Sequence, residues 1–315
     1  MADSMASPTS ALPSEPEDGL VSVPRPDRMQ DEDFAQFMCF MGTYLRAVED
    51  ARDDHLFSDP FAEPLTRQIA PQLEPRLKMW MQRQPHPENF MALRTRYLDE
   101  AITQRNPSIR QVVLLGSGLD ARVFRLESLR ECHVFEIDQS AELFTHKQAV
   151  LETLNPPLIA QRHDCLVADL NDFNWEENLL SSGFNPDIPT FWGMEGLLMY
   201  LTRASDIALL KTIDILSAPG SEVWADMSGL ALLKEAELAL LKDVNTLSKA
   251  ELGKRLIKHG EDDVTQGVFT ELPWELEVQA ALLEGGIHFG REWVPIRTGL
   301  TKTPVPFSFV LAKKP

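Results

Sequence analysis

The chain has 315 residues, of which 43% are hydrophobic and 25% charged, and its formal net charge is −18. This length allows one large α/β domain with an insertion, or two domains. No apolar run approaches the roughly 20 residues that span a bilayer, so no membrane partner is expected. The acidity disfavours a nucleic-acid partner, since a phosphate backbone would be repelled.

The three cysteines and the N-terminal residues indicate the cellular compartment of the protein. Cys39, Cys132 and Cys165 show no paired spacing, which predicts buried thiols in a reducing compartment and no metal site. Residues 1–33 carry eight acids against two bases, which is typical of neither a secretory signal nor an organelle transit peptide. We therefore expect a cytoplasmic protein.

The chain begins with a segment that is poor in large apolar side chains. Residues 1–29 hold five prolines, and such a segment cannot bury enough surface to offset its ordering entropy. We predict a disordered tail over residues 1–30. From Asp31 the apolar residues Phe34, Phe37 and Met41 follow helical spacing, and helical patterns continue to Asn106-Pro107. A helical cap is therefore predicted over 31–108, before a second domain over 109–315.

Strand patterns then alternate with helical patterns, such as Ala141–Leu151 and Ala204–Leu216. This alternation predicts an α/β fold with a seven-stranded, mostly parallel sheet and helices on both faces. The predicted strands lie near 111–115, 133–137, 161–166, 189–194, 221–226, His288–Val294 and Phe307–Ala312. A helical insertion over about 229–260 is either a helix packed on the core or a lid over a binding site, and we favour the lid because it follows the ligand-binding edge of the sheet.

A glycine loop is the most informative motif. The buried strand Val112–Leu115 leads directly into Gly116-Ser117-Gly118, and the segment from Leu119 has helical character. Such a loop lets backbone N–H groups approach a nucleotide-like ligand closely. Asp138 ends the next strand, where a carboxylate can accept hydrogen bonds from ribose hydroxyls. The two features predict an adenosine-containing cofactor.

The loop alone fits two classes of enzyme. Gly116 to Ala121 satisfies G-x-G-x-x-A, the dinucleotide fingerprint, so an NAD(P)-dependent oxidoreductase is one alternative. Methyltransferases use a similar strand, loop and acid. Asp120 would repel a pyrophosphate but could lie beside a sulfonium, and some eighty helical residues precede the loop. These observations favour a methyltransferase.

Five motifs in order carry a family resemblance: Arg94–Asp99, Val112–Arg122, Phe135–Asp138, Ala168–Leu170 and Met194–Tyr200. Over about residues 35–228 they resemble the leucine carboxyl methyltransferase family, which includes O-methyltransferases of polyketide biosynthesis. The resemblance implies a Rossmann-like class I methyltransferase fold. It also implies S-adenosyl-L-methionine as donor, S-adenosyl-L-homocysteine as product and no metal.

The resemblance assigns the cofactor residues. Arg96 matches the position that holds the methionine carboxylate, and Arg94 cannot share its helix face, so only one of the two should reach the site. Glu136 is the alternative to Asp138 as ribose ligand, and we expect it to pair with an arginine. The full set assigned to the cofactor is Arg96, Gly116, Ser117, Gly118, Asp120, Glu136, Asp138, Asp169, Leu170 and Glu195, in which Asp169 and Leu170 would cradle the adenine.

The methyl acceptor is less constrained. Glu195 should face the point where methionine and acceptor meet, and Tyr200 either lines that pocket or packs in the core. We predict O-methyl transfer to a carboxylate or hydroxyl of a small molecule such as a polyketide. No histidine is an evident base, which favours a carboxylate. A protein C-terminal carboxylate is an alternative acceptor, a catalytically inactive binding protein is a further alternative, and a homo-oligomer is left open.

Overall fold

The computed structural model describes residues 31–172, 174–234, 257–299 and 301–315, with side chains from residue 35. The predicted tail over 1–30 lies outside the described residues, as does the larger part of the predicted lid, 235–256. A helical stretch starts at Leu230 and reaches the edge of that gap. None of the described helices is long and apolar enough to cross a membrane.

Helices and strands alternate from the first strand onward, as the sequence predicted. The described helices are α1 (Asp31–Asp50), α2 (Ala62–Thr66), α3 (Ala70–Met81), α4 (Glu88–Gln104), α5 (Arg122–Arg125), α6 (Ala141–Leu154), α7 (Trp175–Ser181) and α8 (Arg203–Ile215). The described strands are β1 (Gln111–Leu115), β2 (His133–Asp138), β3 (Arg162–Val167), β4 (Thr190–Met194), β5 (Glu222–Ser228), β6 (Glu275–Ala281), β7 (Gly286–His288), β8 (Arg291–Trp293) and β9 (Phe307–Lys313).

The main sheet confirms the predicted architecture. Among the described residues it has seven strands in the order β3-β2-β1-β4-β5-β9-β6. β1 to β5 run parallel, and β9 is antiparallel to both β5 and β6. The strand order reverses at β1, since β2 and β3 lie on one side of it and β4 and β5 on the other. In α/β sheets, ligands bind at such a switch point, beside the carboxyl ends of the strands.

Helices cover both faces of this sheet, which explains why β1 is apolar throughout. Val113 and Leu115 pack in one buried cluster with Leu209 of α8. Val112 and Leu114 pack in another with Leu98 of α4. Burying side chains of this size stabilises the fold by about 1.5–3 kcal/mol each. The strand is thus fixed on both sides, and the loop that follows it has a rigid base.

The prediction of a sheet strand over His288–Val294 is wrong. These residues form a separate two-stranded hairpin of β7 and β8, whose turn residues Phe289 and Gly290 have φ of 51° and 82°. Positive φ at both positions matches the turn that suits a hairpin. The seventh strand of the sheet is β6, which was not predicted from the sequence; it lies at an edge and is largely exposed.

The helix after the glycine loop is shorter than its sequence suggests. The helical character predicted from Leu119 is limited to the single turn of α5, followed by a 3-10 turn over Glu127–Leu129. Leu126 between them is extended, with φ −101° and ψ 102°. A helix of one turn has little macrodipole, so a ligand at the loop would depend on individual N–H groups and side chains.

Candidate active site

The glycine loop has the backbone that its sequence requires. Gly116 and Gly118 have φ of 65° and 49°, in the left-handed region that favours glycine. The N–H groups of Gly116 and Ser117 donate to the carbonyl of Ile137, at 2.8 and 3.1 Å. The buried Ser117 Oγ has no hydrogen-bond partner among the described residues. The loop is therefore tied to β2 while one polar side chain in it stays unsatisfied.

Asp138 meets this loop directly, at the carboxyl end of β2. Its Oδ2 accepts from the N–H of Gly118 at 2.9 Å, and its Oδ1 accepts from the N–H of Ser140 at 2.9 Å. Burial raises the pKa of Asp138, although both hydrogen bonds act to lower it. Each carboxylate oxygen keeps a lone pair for a further donor. The structure therefore places the predicted ribose acid beside the loop.

Two side chains cover the loop. A Cβ at Gly118 would collide with Cys39 Sγ of α1, and a Cβ at Gly116 would lie 3.1 Å from Leu197 Cδ1. Burial and the Asp138 carboxylate raise the pKa of Cys39 to about 11, so its thiol stays protonated. Any ligand that approaches Gly118 from this side has to displace Cys39.

Arg94 of α4 reaches the end of β4. Its Nε lies 3.3 Å from Glu195 Oε1, which also accepts from Thr95 Oγ1 at 3.1 Å. A Cβ at Gly196 would lie 2.7 Å from Arg94 Nη1, and Gly196 has φ of 68°. The guanidinium is therefore packed tightly against the backbone that follows Glu195.

Arg122 joins this pair to the glycine loop. It is 2% exposed, its Nη1 lies 2.9 Å from Glu195 Oε2, and its Nε donates to Asp99 Oδ1 at 2.6 Å. Asp120 turns toward Arg122 and accepts from both its guanidinium and its N–H. Burial would raise the pKa of Glu195, but Arg122 and Arg94 hold it far below the usual range. Glu195 is therefore a fixed anion.

Arg96, which the family resemblance favoured, points elsewhere. Its Nη2 donates to Glu100 at 2.7 Å, and its guanidinium lies 5.0 Å from the centre of the Phe289 ring. Its described contacts include no residue of the glycine loop. The geometry thus brings Arg94 to the site in its place, in agreement with the expectation that one helix face presents only one of them.

Glu136 and Asp120 also differ from expectation. Glu136 is fully buried and pairs with Lys147, where an arginine was predicted. Lys147 Nζ donates to the carbonyl of Asp120 at 3.0 Å as well. Among the described residues, Lys147 therefore connects Glu136 to the loop, and the Asp120 carboxylate is bound by Arg122.

Asp169 and Leu170 follow β3 near Asp138. The N–H of Ala168 donates to the carbonyl of Asp138 at 3.0 Å, which fixes this segment beside the loop. Asp169 is exposed and accepts from the backbone and side-chain nitrogens of Asn171, each at 2.9 Å. Leu170 is half-buried against the core. Both residues therefore follow the end of β3 next to Asp138, and their contact with adenine stays a prediction.

Asp226 and Tyr200 complete the edge on the β5 side. Asp226 is fully buried, its Oδ1 accepts from the N–H of Gly196 at 2.5 Å, and its Oδ2 has no hydrogen-bond partner among the described residues. Burial raises the pKa of Asp226. Burial also raises the pKa of Tyr200 to about 12, while Arg94 lowers it. Sequence reasoning missed Asp226, whose only signal is an acid inside the apolar run Val223–Met227.

Comparison with known proteins bears on this geometry. The family model for leucine carboxyl methyltransferase matches residues 39–214. The chain belongs to the leucine carboxyl methyltransferase family. The resemblance read from the five motifs is thereby confirmed, and it excludes the NAD(P)-dependent oxidoreductases as the family of this chain.

Several bacterial proteins are similar to this chain. A protein of Streptomyces coelicolor is 40% identical over 187 residues, which cover 56% of this chain and 60% of that protein. One from Saccharopolyspora erythraea is 36% identical over 193 residues, covering 59% and 65%. Both are named "putative S-adenosyl-L-methionine-dependent methyltransferase". The match thus spans about three-fifths of each relative.

Solved structures support the fold. The crystal structure of a Streptomyces avermitilis protein of the family called duf574 has a TM-score of 0.52 and 13% identity, covering 87% of this chain and 97% of its own. A Thermobifida fusca protein described as a "putative methyltransferase" has a TM-score of 0.50 and 13% identity, covering 86% and 94%. At this identity the likeness concerns the fold alone.

Proposed function

We propose that this protein transfers a methyl group from S-adenosyl-L-methionine to a carboxylate or hydroxyl oxygen of a small molecule. One observation carries the proposal. The N–H of Gly118 meets Asp138 at the carboxyl end of β2, and the Arg94–Glu195 pair closes the same edge from β4. Family membership and the names of the relatives support the transfer of a methyl group from S-adenosyl-L-methionine.

The residues at the loop fit such a cofactor. Asp138 has lone pairs for the two ribose hydroxyls, and the unsatisfied Ser117 Oγ can hydrogen-bond to the ligand. Arg94 suits the methionine carboxylate, because its planar fork can engage both oxygens. Glu195, an anion at neutral pH, suits the methionine ammonium. Cys39, whose Sγ lies against Gly118, would have to move when the cofactor binds.

Adenine would lie against Leu170, with Asp169 accepting from its amino group. When bound, S-adenosyl-L-methionine supplies an electrophilic methyl group on its sulfonium sulfur. The protein then has to align the acceptor oxygen with that methyl group. Such alignment can supply roughly 7–11 kcal/mol of barrier reduction.

The class of acceptor decides whether a base is needed. A carboxylate is ionised at neutral pH and needs none, whereas a hydroxyl needs a base within hydrogen-bond reach. Asp226 Oδ2 is the candidate base, since it is buried beside Arg94 and lacks a donor among the described residues. Tyr200 is a candidate for lining the acceptor pocket.

Calorimetric titration tests the proposal. The purified protein should bind S-adenosyl-L-homocysteine with micromolar affinity and give no heat with NAD+ or NADP+. Asp138→Ala should weaken that binding by about 1–3 kcal/mol, which is roughly 5- to 150-fold, because ribose hydroxyls lose their acceptor. Asp187→Ala, at an exposed loop acid, is the control. Binding of a nicotinamide cofactor, or an unchanged affinity in Asp138→Ala, would contradict the proposal.

A further inference from the structure

Three metal-binding side chains meet between β2 and β3, away from the glycine loop. Glu136 and Cys165 are directly opposite in the register of the two strands. His163 lies two residues before Cys165, so both side chains are on the same face of β3. We call Glu136, His163 and Cys165 the β2–β3 donor cluster; their donor atoms all lie within 4.8 Å of one another.

Two distances in this cluster are close to the edges of a zinc tetrahedron. His163 Nε2 lies 3.2 Å from Glu136 Oε1 and 3.4 Å from Cys165 Sγ. Zinc bond lengths of about 2.0–2.3 Å at a tetrahedral angle separate nitrogen from oxygen by about 3.4 Å and nitrogen from sulfur by about 3.5 Å. The Glu136 carboxylate and Cys165 Sγ are farther apart, at 4.0 Å from Oε2, so these two groups would have to move closer to bind one ion.

Glu136 provides an independent indication of a ligand. Its side chain is fully buried, and its Oε1 makes no hydrogen bond among the described residues, although His163 Nε2 lies 3.2 Å away. Its Oε2 is held by Lys147 and lies 4.0 Å from Cys165 Sγ. This arrangement leaves Oε1 available beside His163, and ligating carboxylates are commonly held through their second oxygen in this way.

An ion would have a route to the cluster. A cavity of about 350 Å³ lies beside it, lined among others by Phe124, Phe144 and Leu151 and by two of the donors, His163 and Cys165. Cys165 is exposed. Three protein ligands would leave a fourth position that opens on this cavity, where water could bind.

We propose that the β2–β3 donor cluster binds one Zn²⁺ ion, or a similar divalent transition metal, through Glu136 Oε1, His163 Nε2 and Cys165 Sγ. Thiolate and imidazole donors select such ions, whereas Mg²⁺ and Ca²⁺ prefer oxygen ligands. Binding releases the thiol proton and any imidazole proton to solvent, and no bond is oxidised or reduced. The ion would fasten the edge strand β3 to β2, the strand that carries Asp138. This proposal does not depend on the proposed activity.

The expectation of no metal site rested on the absence of paired cysteine spacing. Here two donors lie on one strand as His-x-Cys, and the third comes from the neighbouring strand. Only the register of β2 and β3 brings them together.

Metal titration of chelator-treated protein tests the proposal. We expect one Zn²⁺ per chain, bound with submicromolar affinity in competition with a chromophoric chelator. Co²⁺ in its place should show a thiolate-to-cobalt charge-transfer band. Cys165→Ser should abolish that band and weaken Zn²⁺ binding at least tenfold. His133→Gln is the matched control, since His133 lies on β2 but pairs with Asp164.

A second measurement needs no variant. Zn²⁺, but not Mg²⁺, should slow alkylation of Cys165 by iodoacetamide, as read by peptide mass spectrometry, and should raise the melting temperature. Alkylation unaffected by Zn²⁺ would overturn the proposal, even if Cys165→Ser failed to fold. Stoichiometric Zn²⁺ binding that persists unchanged in folded Cys165→Ser would overturn it too.

Discussion

Two groups of buried charges flank β2, and they differ in the side chains that surround the carboxylates. At the carboxyl edge, the guanidinium of Arg122 contacts the carboxylates of Asp99, Asp120 and Glu195. In the β2–β3 donor cluster, Glu136 is paired with Lys147 and His163, and an exposed thiol, Cys165, lies opposite it on β3. A guanidinium among carboxylates fixes their positions, whereas an imidazole and a thiol beside a carboxylate are side chains that bind transition metals. The two groups should therefore respond differently to substitution.

The largest effect is expected at Arg122, which contacts three buried carboxylates. Arg122→Ala would leave Asp120 without its cation, while Arg125 and Arg94 stay beside Asp99 and Glu195. Breaking a buried ion pair from one side costs about 3–5 kcal/mol of unfolding free energy. Urea unfolding followed by circular dichroism would measure it. Arg130→Ala removes an exposed pair with Glu127 and should cost less than about 1 kcal/mol. Equal losses in the two variants would mean that the Arg122 network does not stabilise the fold.

The next effect separates two arginines that lie two residues apart. Arg94→Met should weaken S-adenosyl-L-homocysteine binding by about 1.5–3 kcal/mol, the usual worth of hydrogen bonds to a charged group. That corresponds to roughly 10- to 150-fold in calorimetric affinity. Arg96→Met should leave the affinity unchanged, because Arg96 contacts Glu100 and Phe289 instead. The reverse result would restore the assignment made from the sequence.

These two arginines show what the sequence could and could not predict. The glycine loop and Asp138 depend on neighbouring residues, so the strand pattern and two glycines were enough to find them. The choice between Arg94 and Arg96 depends on how α4 is rotated against the sheet. That rotation is set by the packing of Leu93 and Leu98 with strand residues distant in sequence. The spacing of two residues shows that the two arginines lie on different faces of α4. It does not show which face is turned toward the sheet.

Edge positions were hard to predict for a related reason. β6 exposes Glu275 and Glu277, so its sequence lacks the apolar run that identified the central strands. The strand predicted over His288–Val294 fell on the hairpin of β7 and β8 instead. Asp226 was missed because it lies inside an apolar strand, and only the structure shows that its Oδ2 accepts no hydrogen bond from the residues described.

The smallest predicted effect concerns a third buried pair, far from β2 in the sequence. His259 Nδ1 lies 2.6 Å from Asp206 Oδ2, and its Nε2 lies 3.2 Å from Glu261 Oε1. Burial alone would lower the pKa of His259, but the two carboxylates raise it to about 9. Burial raises the pKa of Asp206 only to about 6, so Asp206 is ionised in both states above that pH.

The sign of the pH effect follows from His259. Between its unfolded pKa of about 6.5 and its folded pKa, the folded protein holds one proton that the unfolded chain has lost. The stabilisation that protonated His259 contributes is therefore fully present below about pH 6.5. The free energy of unfolding decreases as pH rises above this value, by up to about 1.4 kcal/mol between pH 7 and 8. His259→Gln should lower this slope by about one proton in urea unfolding, whereas His133→Gln, whose histidine has a pKa lowered by burial, should leave it unchanged. Part of the slope should remain in His259→Gln, because Glu136 and Cys165 overcome the burial of His163 and raise its pKa to about 10. A slope that is the same in His259→Gln and in the unmodified protein would contradict the role of His259.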